Sequence, residues 1–91
     1  MKDKKDFGVL LDFYSKGCAP CKRMDPVITD FAESNDHVEV RRIEANEAPE
    51  VFEKYDISSV PTYVFLKDGK ERGRLSGICD RKEIERLVSE G

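Results

Sequence analysis

The feature that most constrains the fold is an almost wholly apolar run over residues 7–14 (FGVLLDFY). Its apolar residues follow one another without the alternation of a half-exposed strand, which is typical of a strand covered on both faces inside a sheet. The remainder of the chain must then supply helices for both faces of that sheet. Asp12 is the one charged residue of the run, so its carboxylate needs either a partner or a proton.

A helix and a second strand are predicted after this run. Apolar residues recur at helical spacing over residues 19–34, which predicts a helix with one apolar face. Pro26 lies inside this helix and should kink it, because proline removes a backbone hydrogen bond. Residues 38–44 alternate weakly and predict a strand. The apolar face of the helix consists of Met24, Val27, Ile28, Phe31 and Ala32.

The second half of the chain predicts a short helix and a hairpin. Pro49 suits the first turn of a helix. Residues 62–66 are rich in β-branched and aromatic side chains and predict a strand. Asp68 and Gly69 predict a tight turn, after which residues 71–75 return as an edge strand. The inner face of the short helix would be formed by Val51, Phe52 and Tyr55.

A last helix completes the predicted order β-α-β-α-β-β-α. Asp80 followed by Glu83 is typical of a helix start, and Gly91 would end the helix. The first two strands, joined by a helix, should be parallel, and the last two should be antiparallel. The 91 residues therefore predict a single α/β domain with a four-stranded mixed sheet and helices on both faces. The apolar face of the last helix consists of Ile84, Leu87 and Val88.

Composition argues against several classes of function. The net charge of -3 arises from interspersed signs, without the basic stripe of a nucleic-acid-binding protein, and the charged residues 2–6 suit a solvated lead. No run approaches the ~20 apolar residues of a membrane span, and none has the form of a secretory signal. An odd number of cysteines, three, argues against a secreted disulfide framework. We therefore expect a cytoplasmic protein whose partners include neither nucleic acid nor membrane.

Two of the cysteines, Cys18 and Cys21, follow the buried strand and open the predicted helix. Residues three apart share one helix face, so the two sulfurs can approach disulfide geometry. Cys18 would lie at the helix N-terminus, where unpaired N–H groups and the helix dipole stabilise a thiolate and should lower its pKa below ~8.5. Lys16 and Lys22 add positive charge nearby.

Cys21, one turn further in, should be shielded and should have the higher pKa, and this difference between the two cysteines predicts thiol–disulfide exchange. The Cys18 thiolate would attack a substrate disulfide, and Cys21 would then resolve the mixed disulfide. Burial would raise the pKa of Asp12, which could then accept the proton of Cys21. Alternatively, Asp12 ends its strand and is satisfied by a backbone group or an arginine. Pro61 similarly leaves two possibilities open, a cis peptide bond or an ordinary trans proline before a strand.

The ordered motifs of this sequence resemble the thioredoxin family from about residue 7 to the end of the chain. As a set they are much more specific than a single Cys-x-x-Cys. The resemblance implies a thioredoxin-like fold that lacks the strand and helix usually found before the first strand. The motifs are Asp12-Phe13-Tyr14, Cys18-Ala19-Pro20-Cys21-Lys22, Pro26, Val60-Pro61-Thr62, Lys67-Asp68-Gly69-Lys70 and Gly77.

The resemblance also implies roles for individual residues. Cys18 matches the attacking cysteine, Cys21 the resolving cysteine, and Asp12 the buried aspartate that assists proton transfer. Pro61 matches the cis-proline that faces the cysteines, and Arg42 falls near a lysine that often pairs with the buried aspartate. The substrate-binding residues implied by the resemblance are Gly17, Ala19, Pro20, Val60 (through its backbone), Pro61 and Gly77.

Two positions in the site depart from the family pattern. Gly17 stands where the family usually has tryptophan, which removes a flat apolar wall beside Cys18 and puts substrate preference in doubt. Ala19 replaces the usual glycine between the cysteines, a position that influences redox poise in the family.

The resemblance implies a protein disulfide reductase that takes electrons from a thioredoxin-reductase-type, flavin-dependent donor and acts as a monomer. It needs no cofactor beyond the redox-active disulfide Cys18–Cys21. Glutaredoxin-like, isomerase or oxidant activity remains an alternative, as does a non-catalytic interaction module. A metal site formed by the cysteines, including Cys79, with His37 is a rival from another class. We expect instead an exposed His37 and a half-buried Cys79 that serves packing or regulation.

Overall fold

A computed structural model describes residues 8–90, which form four strands and three helices. Their order confirms the predicted β-α-β-α-β-β-α arrangement. The predicted charged lead, the Phe7 start of the first strand and the Gly91 end of the last helix lie outside the described residues. The elements are β1 (Val9–Tyr14), α1 (Ala19–Ser34), β2 (Glu39–Glu44), α2 (Pro49–Lys54), β3 (Thr62–Lys67), β4 (Lys70–Ser76) and α3 (Arg81–Glu90).

The strands form one mixed sheet in the order β2-β1-β3-β4. β1 pairs with β2 in parallel and with β3 antiparallel, and β3 and β4 form an antiparallel hairpin. The apolar run thus lies in a central strand, as its lack of alternation predicted. In this register Asp12 lies between Arg42 on β2 and Tyr63 on β3.

Helices cover both faces of the sheet, and each face has its own apolar core. Both α1 and α3 pack on one face, while α2 contributes to the other, where the rings of Phe13 and Phe52 meet edge to face at 5.0 Å. The predicted apolar faces of all three helices are confirmed by these contacts. The buried residues are Leu10, Met24, Ile28, Phe31, Val38, Tyr63, Phe65 and Ile84 on the first face, and Leu11, Phe13 and Val64 on the second.

The first two strands begin later than the sequence predicted. Gly8 precedes β1 with φ of 121°, and a Cβ built on it would come within 2.5 Å of the Phe65 ring. The chain therefore turns into the sheet at a position that only glycine fits. Val38 belongs to the turn before β2, because its N–H donates to the Asn35 carbonyl.

The hairpin turn and the start of the last helix form at the residues that predicted them. Asp68 and Gly69 both have positive φ, 56° and 77°, which a tight hairpin turn requires. Asp80 lies directly before α3, and its Oδ1 accepts the Glu83 N–H at 2.9 Å. α1 runs unbroken through Pro26, while the predicted kink stays a prediction.

Candidate active site

Three connecting segments meet at one end of the strands, where β1 and β4 finish and β3 begins. Phe13 pairs with Thr62 and Thr62 pairs with Ser76, so the end of β1, the start of β3 and the end of β4 lie side by side. The Gly77 N–H donates to the Pro61 carbonyl at 2.8 Å and ties two of these segments together. The third segment, after β1, leads into α1 and contains the first cysteine of the pair.

The cysteine pair lies at the start of α1 and forms a disulfide, with a Cα–Cα distance of 5.2 Å. Cys18 is the N-cap of the helix, and its Sγ accepts the Cys21 N–H at 3.1 Å. Cys18 is half-buried, whereas Cys21, one turn further in, is only 5% exposed. The sulfur of Cys18 is therefore the more accessible of the two.

The start of α1 is electrostatically suited to a sulfur anion. Its first turn, all of which the structure describes, contains no acidic side chain that would compete for the positive end of the helix dipole. Lys16 has an exposed ion pair with Glu47 at 3.4 Å, so its positive charge is partly compensated. The helix N-terminus and the exposed Lys22 both add positive potential near Cys18.

Asp12 lies in the central strand β1 and is buried, with 4% of its surface exposed. Burial raises the pKa of its carboxyl to about 6, and Asp25 acts in the same direction, while the nearby Arg42 charge opposes the increase. The Arg42 Nε lies 3.7 Å from Asp12 Oδ2, too far for a hydrogen bond. Asp12 thus lies within β1 and not at its end, with an arginine neighbour and a raised pKa, while its role as the proton acceptor of Cys21 stays a prediction.

Sequence reasoning missed two residues that hold Arg42 in place. Its Nη1 donates to Asp25 Oδ1 at 3.0 Å, and its Nη2 donates to Thr29 Oγ1 at 3.2 Å. Asp25 and Thr29 follow Cys21 at intervals of four residues on α1, and this spacing was the available signal. Which strand residue they would meet depends on the register of β1 and β2, which the spacing does not reveal.

A shallow groove begins beside the loop that leads to the cysteines. Its volume is about 230 Å³, and Val60 and Ser15 both line it. The Val60–Pro61 peptide bond is cis, and Gly77 has φ of 84°. Among residues 8–90, nothing hydrogen-bonds to the backbone N–H or carbonyl of Val60. The remaining lining residues are Phe52, which the sequence predicted only as part of the inner face of α2, and Ala45, Ile57, Ser58 and Ser59, which it did not single out.

The three other predicted substrate-binding positions lie around the cysteine pair. Gly17, Ala19 and Pro20 are all exposed. A Cβ built on Gly17 meets no atom within 4 Å, and its φ lies outside the left-handed region, so neither packing nor backbone conformation demands glycine there. The space beside Cys18 is consequently open.

The residues of the rival metal site do not form such a site. Within the described part of the chain, no three His, Cys, Asp or Glu side chains are grouped to hold a metal ion. Cys79 is half-buried against the core of α1 and α3, as expected, and burial, with Glu83 and Asp80, raises the pKa of its thiol to about 11. His37 is exposed, as predicted, and lines a separate groove near the C-terminal ends of α1 and α3.

A disulfide-forming cysteine pair at the start of the helix that follows a central strand of a mixed sheet is typical of thiol–disulfide oxidoreductases. The sequence profile of the thioredoxin family matches residues 2–90. The chain belongs to the thioredoxin family, and it is a dithiol protein-disulfide reductase whose redox pair is Cys18 and Cys21.

Individual relatives agree with this assignment. The thioredoxin of Chlamydia trachomatis is 37% identical over 81 residues, which cover 89% of this chain and 79% of that protein. The thioredoxin of Fasciola hepatica superposes with a TM-score of 0.87 and 31% identity, covering 97% of this chain and 85% of that one. The thioredoxin NaTrxh of Nicotiana alata superposes with a TM-score of 0.88 and 29% identity, covering 97% of this chain and 76% of that one. Of the helices within residues 8–90, none has the length and apolarity to cross a bilayer.

Proposed function

We propose that Cys18 is the attacking cysteine and Cys21 the resolving cysteine of this reductase. The observation that carries the proposal is the difference between the two sulfurs. Cys18 is accessible and caps the helix, whereas Cys21 is buried one turn behind it and donates its own backbone N–H to Cys18 Sγ. The helix N-terminus stabilises the thiolate of Cys18 without exposing Cys21 to solvent.

The reaction then proceeds in two exchanges. The Cys18 thiolate attacks one sulfur of a substrate disulfide, and the other substrate sulfur leaves as a thiolate. The Cys21 thiol loses its proton to the Asp12 carboxylate, and its thiolate attacks Cys18 Sγ. The second substrate sulfur then leaves, and the disulfide Cys18–Cys21 remains. Two electrons pass from the dithiol to the substrate.

Asp12 suits the role of proton acceptor because its pKa is about 6. A base with this pKa is ionised at neutral pH and still binds a proton readily, which is the condition for efficient general base catalysis. An ordinary exposed carboxylate would be a much weaker base. Burial in β1 is the physical cause of this property.

The substrate would bind as an extended segment across the site. The backbone of Val60, which has no partner among the described residues, can pair with such a segment as a short added strand. Pro61 and Gly77 would border the substrate on one side, and Ala19 and Pro20 on the other. The open position at Gly17 would leave room for a bulky partner beside Cys18.

In this proposal the protein is a monomer with a single domain over residues 1–91, and it works in the cytoplasm. It needs no cofactor other than its own disulfide. A thioredoxin-reductase-type, flavin-dependent donor would reduce the disulfide after each cycle. The substrates are proteins with accessible disulfides, as expected for its family.

Reduction of insulin by dithiothreitol tests the proposal. The wild type should accelerate precipitation of the insulin chains, and Cys18→Ser should leave only the uncatalysed rate. Cys21→Ser should also lose turnover but accumulate a mixed disulfide at Cys18, visible by mass spectrometry. Cys79→Ser is the matched control, because it removes a thiol outside the site and should retain wild-type activity.

Two results would contradict the proposal. Full activity in Cys18→Ser would show that another group attacks, and a mixed disulfide trapped at Cys21 would reverse the two roles. A redox titration against dithiothreitol extends the test, because a midpoint as oxidising as that of a disulfide-forming enzyme would favour oxidant or isomerase activity.

A further inference from the structure

We propose that Asp25 is a positioning residue for the proton transfer at Asp12. It binds the guanidinium of Arg42 and prevents that charge from fully stabilising the Asp12 carboxylate, so that Asp12 remains an effective proton acceptor near neutral pH. The inference rests on the proposed role of Asp12. Asp25 lies on α1, whereas Asp12 lies on β1, so the two residues belong to different elements of the fold.

The contacts of Arg42 carry the first step of the argument. Its two terminal nitrogens are both occupied by α1, with Nη1 on Asp25 at 3.0 Å and Nη2 on Thr29 at 3.2 Å. Only Nε remains directed at Asp12, at 3.7 Å and outside hydrogen-bond distance. A guanidinium is a rigid planar fork, so fixing its two outer nitrogens also fixes the third.

The placement of Asp25 connects this contact to the redox pair. Cys21, Asp25 and Thr29 follow one another at intervals of four residues, so they form a single row along α1. Asp12 and Arg42 are direct neighbours across β1 and β2. The row on the helix therefore lies over this strand pair, with the resolving cysteine at one end and the two ligands of Arg42 behind it.

Among the described residues, the titratable groups Tyr63 and Cys79 belong to the core on this face of the sheet and carry no charge in the working pH range. Tyr63 faces Asp12 from β3, and burial above all, with Asp12 next, raises the pKa of that phenol far above neutrality. Cys79, from the segment before α3, acts on Tyr63, and its own thiol has a pKa of about 11. The charges that act on Asp12 are therefore those of Arg42 from β2 and Asp25 from α1.

The sign of the effect follows from these charges. A cation beside a carboxylate favours the ionised form and weakens the base, whereas an anion nearby has the opposite effect. Asp25 acts in both ways, because it repels the Asp12 charge directly and offsets part of the Arg42 charge. Removing the charge of Asp25 should lower the proton affinity of Asp12.

Rapid mixing of the reduced protein with an aromatic disulfide, 5,5′-dithiobis(2-nitrobenzoate), separates the relevant step. The first coloured thiolate is released when Cys18 attacks, and the second when Cys21 resolves the mixed disulfide. The acid limb of the second phase reports the proton acceptor, and the first phase is an internal control. A titration of the Asp12 carboxyl by ¹³C NMR gives the same midpoint without kinetics.

Asp25→Asn removes the charge but keeps an oxygen that can accept from Arg42. The midpoint of the second phase and of the Asp12 titration should fall by about half a pH unit, and by less at high salt, because Asp25 is partly exposed. Asp30→Asn is the matched control. Asp30 lies on the same helix, pairs with Arg81, and has a side chain 60% exposed against 56% for Asp25. In Asp30→Asn, the midpoints of the second phase and of the Asp12 titration should match those of the wild type.

A second background tests whether Asp25 acts through Arg42. Arg42→Gln should raise the midpoint, and Asp25→Asn should then shift it by less than in the wild-type background. An unchanged midpoint in Asp25→Asn, together with loss of the acid limb in Asp12→Asn, would overturn this inference and leave the proposed function intact. An acid limb that persists in Asp12→Asn would instead show that Asp12 is not the proton acceptor.

Discussion

The starts of α1 and α3 have the same backbone arrangement but different chemistry. Each helix follows a strand after a four-residue connection, residues 15–18 or 77–80. In each, the side chain of the last connecting residue accepts a hydrogen bond from the backbone N–H three positions further on. At α1 the Cys21 N–H donates to Cys18 Sγ at 3.1 Å, and at α3 the Glu83 N–H donates to Asp80 Oδ1 at 2.9 Å. A sulfur thus occupies at one helix the position that a carboxylate occupies at the other.

The cysteine beside α3 shows what this difference does. Cys79 lies one residue before the capping carboxylate, and its pKa is raised to about 11 by burial, Glu83 and Asp80. At α1 the sulfur is itself the cap, and the first turn brings no acidic side chain. Cys79 is therefore kept protonated by burial first and by the two carboxylates second, whereas Cys18 is half-buried and lies at a helix start without acidic side chains.

Alkylation of the reduced protein should give the largest contrast between the two helix starts. At pH 7, a thiol of pKa about 11 is ionised in roughly one molecule in ten thousand, against at least a few per cent for Cys18. Iodoacetamide should therefore modify Cys18 at least about 100-fold faster than Cys79, measured by peptide mass spectrometry. Urea-unfolded protein is the control and should show similar rates for both. Equal rates in the folded protein would remove the contrast.

The buried carboxylate Asp12 belongs to the α1 side of the comparison and should have the next largest effect. Its folded pKa of about 6 exceeds the ordinary 3.8, so the ionised form destabilises the fold. The stability it contributes is complete below about pH 4 and is lost as pH rises through 6, by about 3 kcal/mol for roughly two pKa units.

Urea unfolding of the oxidised protein and of Asp12→Asn at pH 4 and pH 8 measures this loss. The difference in unfolding free energy between the two proteins should move in favour of Asp12→Asn by most of that amount between the two pH values. Because the cost of burying an amide is the same at both pH values, it cancels. A difference that does not depend on pH would mean that Asp12 titrates as an exposed carboxyl.

Giving α1 the acidic first turn of α3 should reduce the contrast. Ala19→Glu places a carboxylate directly after the Cys18 cap, where it competes for the helix dipole. The pKa of Cys18 should rise by about half a unit, and alkylation at pH 6 should slow about threefold. Ala19→Gln is the isosteric neutral control and should behave as wild type. No change in Ala19→Glu would mean that the helix N-terminus does not govern Cys18.

The smallest expected effect is the reverse change at α3. Glu83→Gln removes one acidic charge near Cys79 but leaves its burial, the largest cause of its raised pKa. The alkylation rate of Cys79 should therefore increase less than about threefold. Glu85→Gln, an exposed change on the same helix, is the control. An increase of more than tenfold would show that charge, not burial, keeps this thiol protonated.

Local patterns were sufficient to predict the elements and their order along the chain, but not the order β2-β1-β3-β4 of the strands in the sheet. The unbroken apolar run of β1 indicated a central strand, and the bounds of α1 followed from the cysteine pair and the apolar spacing behind it. The hairpin turn and the Asp80 cap were also visible, because each depends on residues within three positions of one another. The position of Gly8 was not, since its requirement comes from the Phe65 ring on another strand.

The site could be predicted only in part for the same reason. Cys18 and Cys21 are neighbours along the chain, and the burial of Asp12 followed from its strand. The Asp25–Arg42 contact joins a helix to the strand that follows it, and it depends on strand register and on the rotation of α1. Such contacts between elements cannot be derived from spacing within any one of them.

The 5.2 Å between the Cα atoms of Cys18 and Cys21 has a consequence for how partners distinguish the two forms of the protein. This separation already exists between residues one turn apart in an ordinary helix, so the bond can open and close without moving the backbone. We therefore expect donor and substrate to meet nearly the same surface. The direction of electron flow is then decided by the relative potentials of the partners and not by a change of shape.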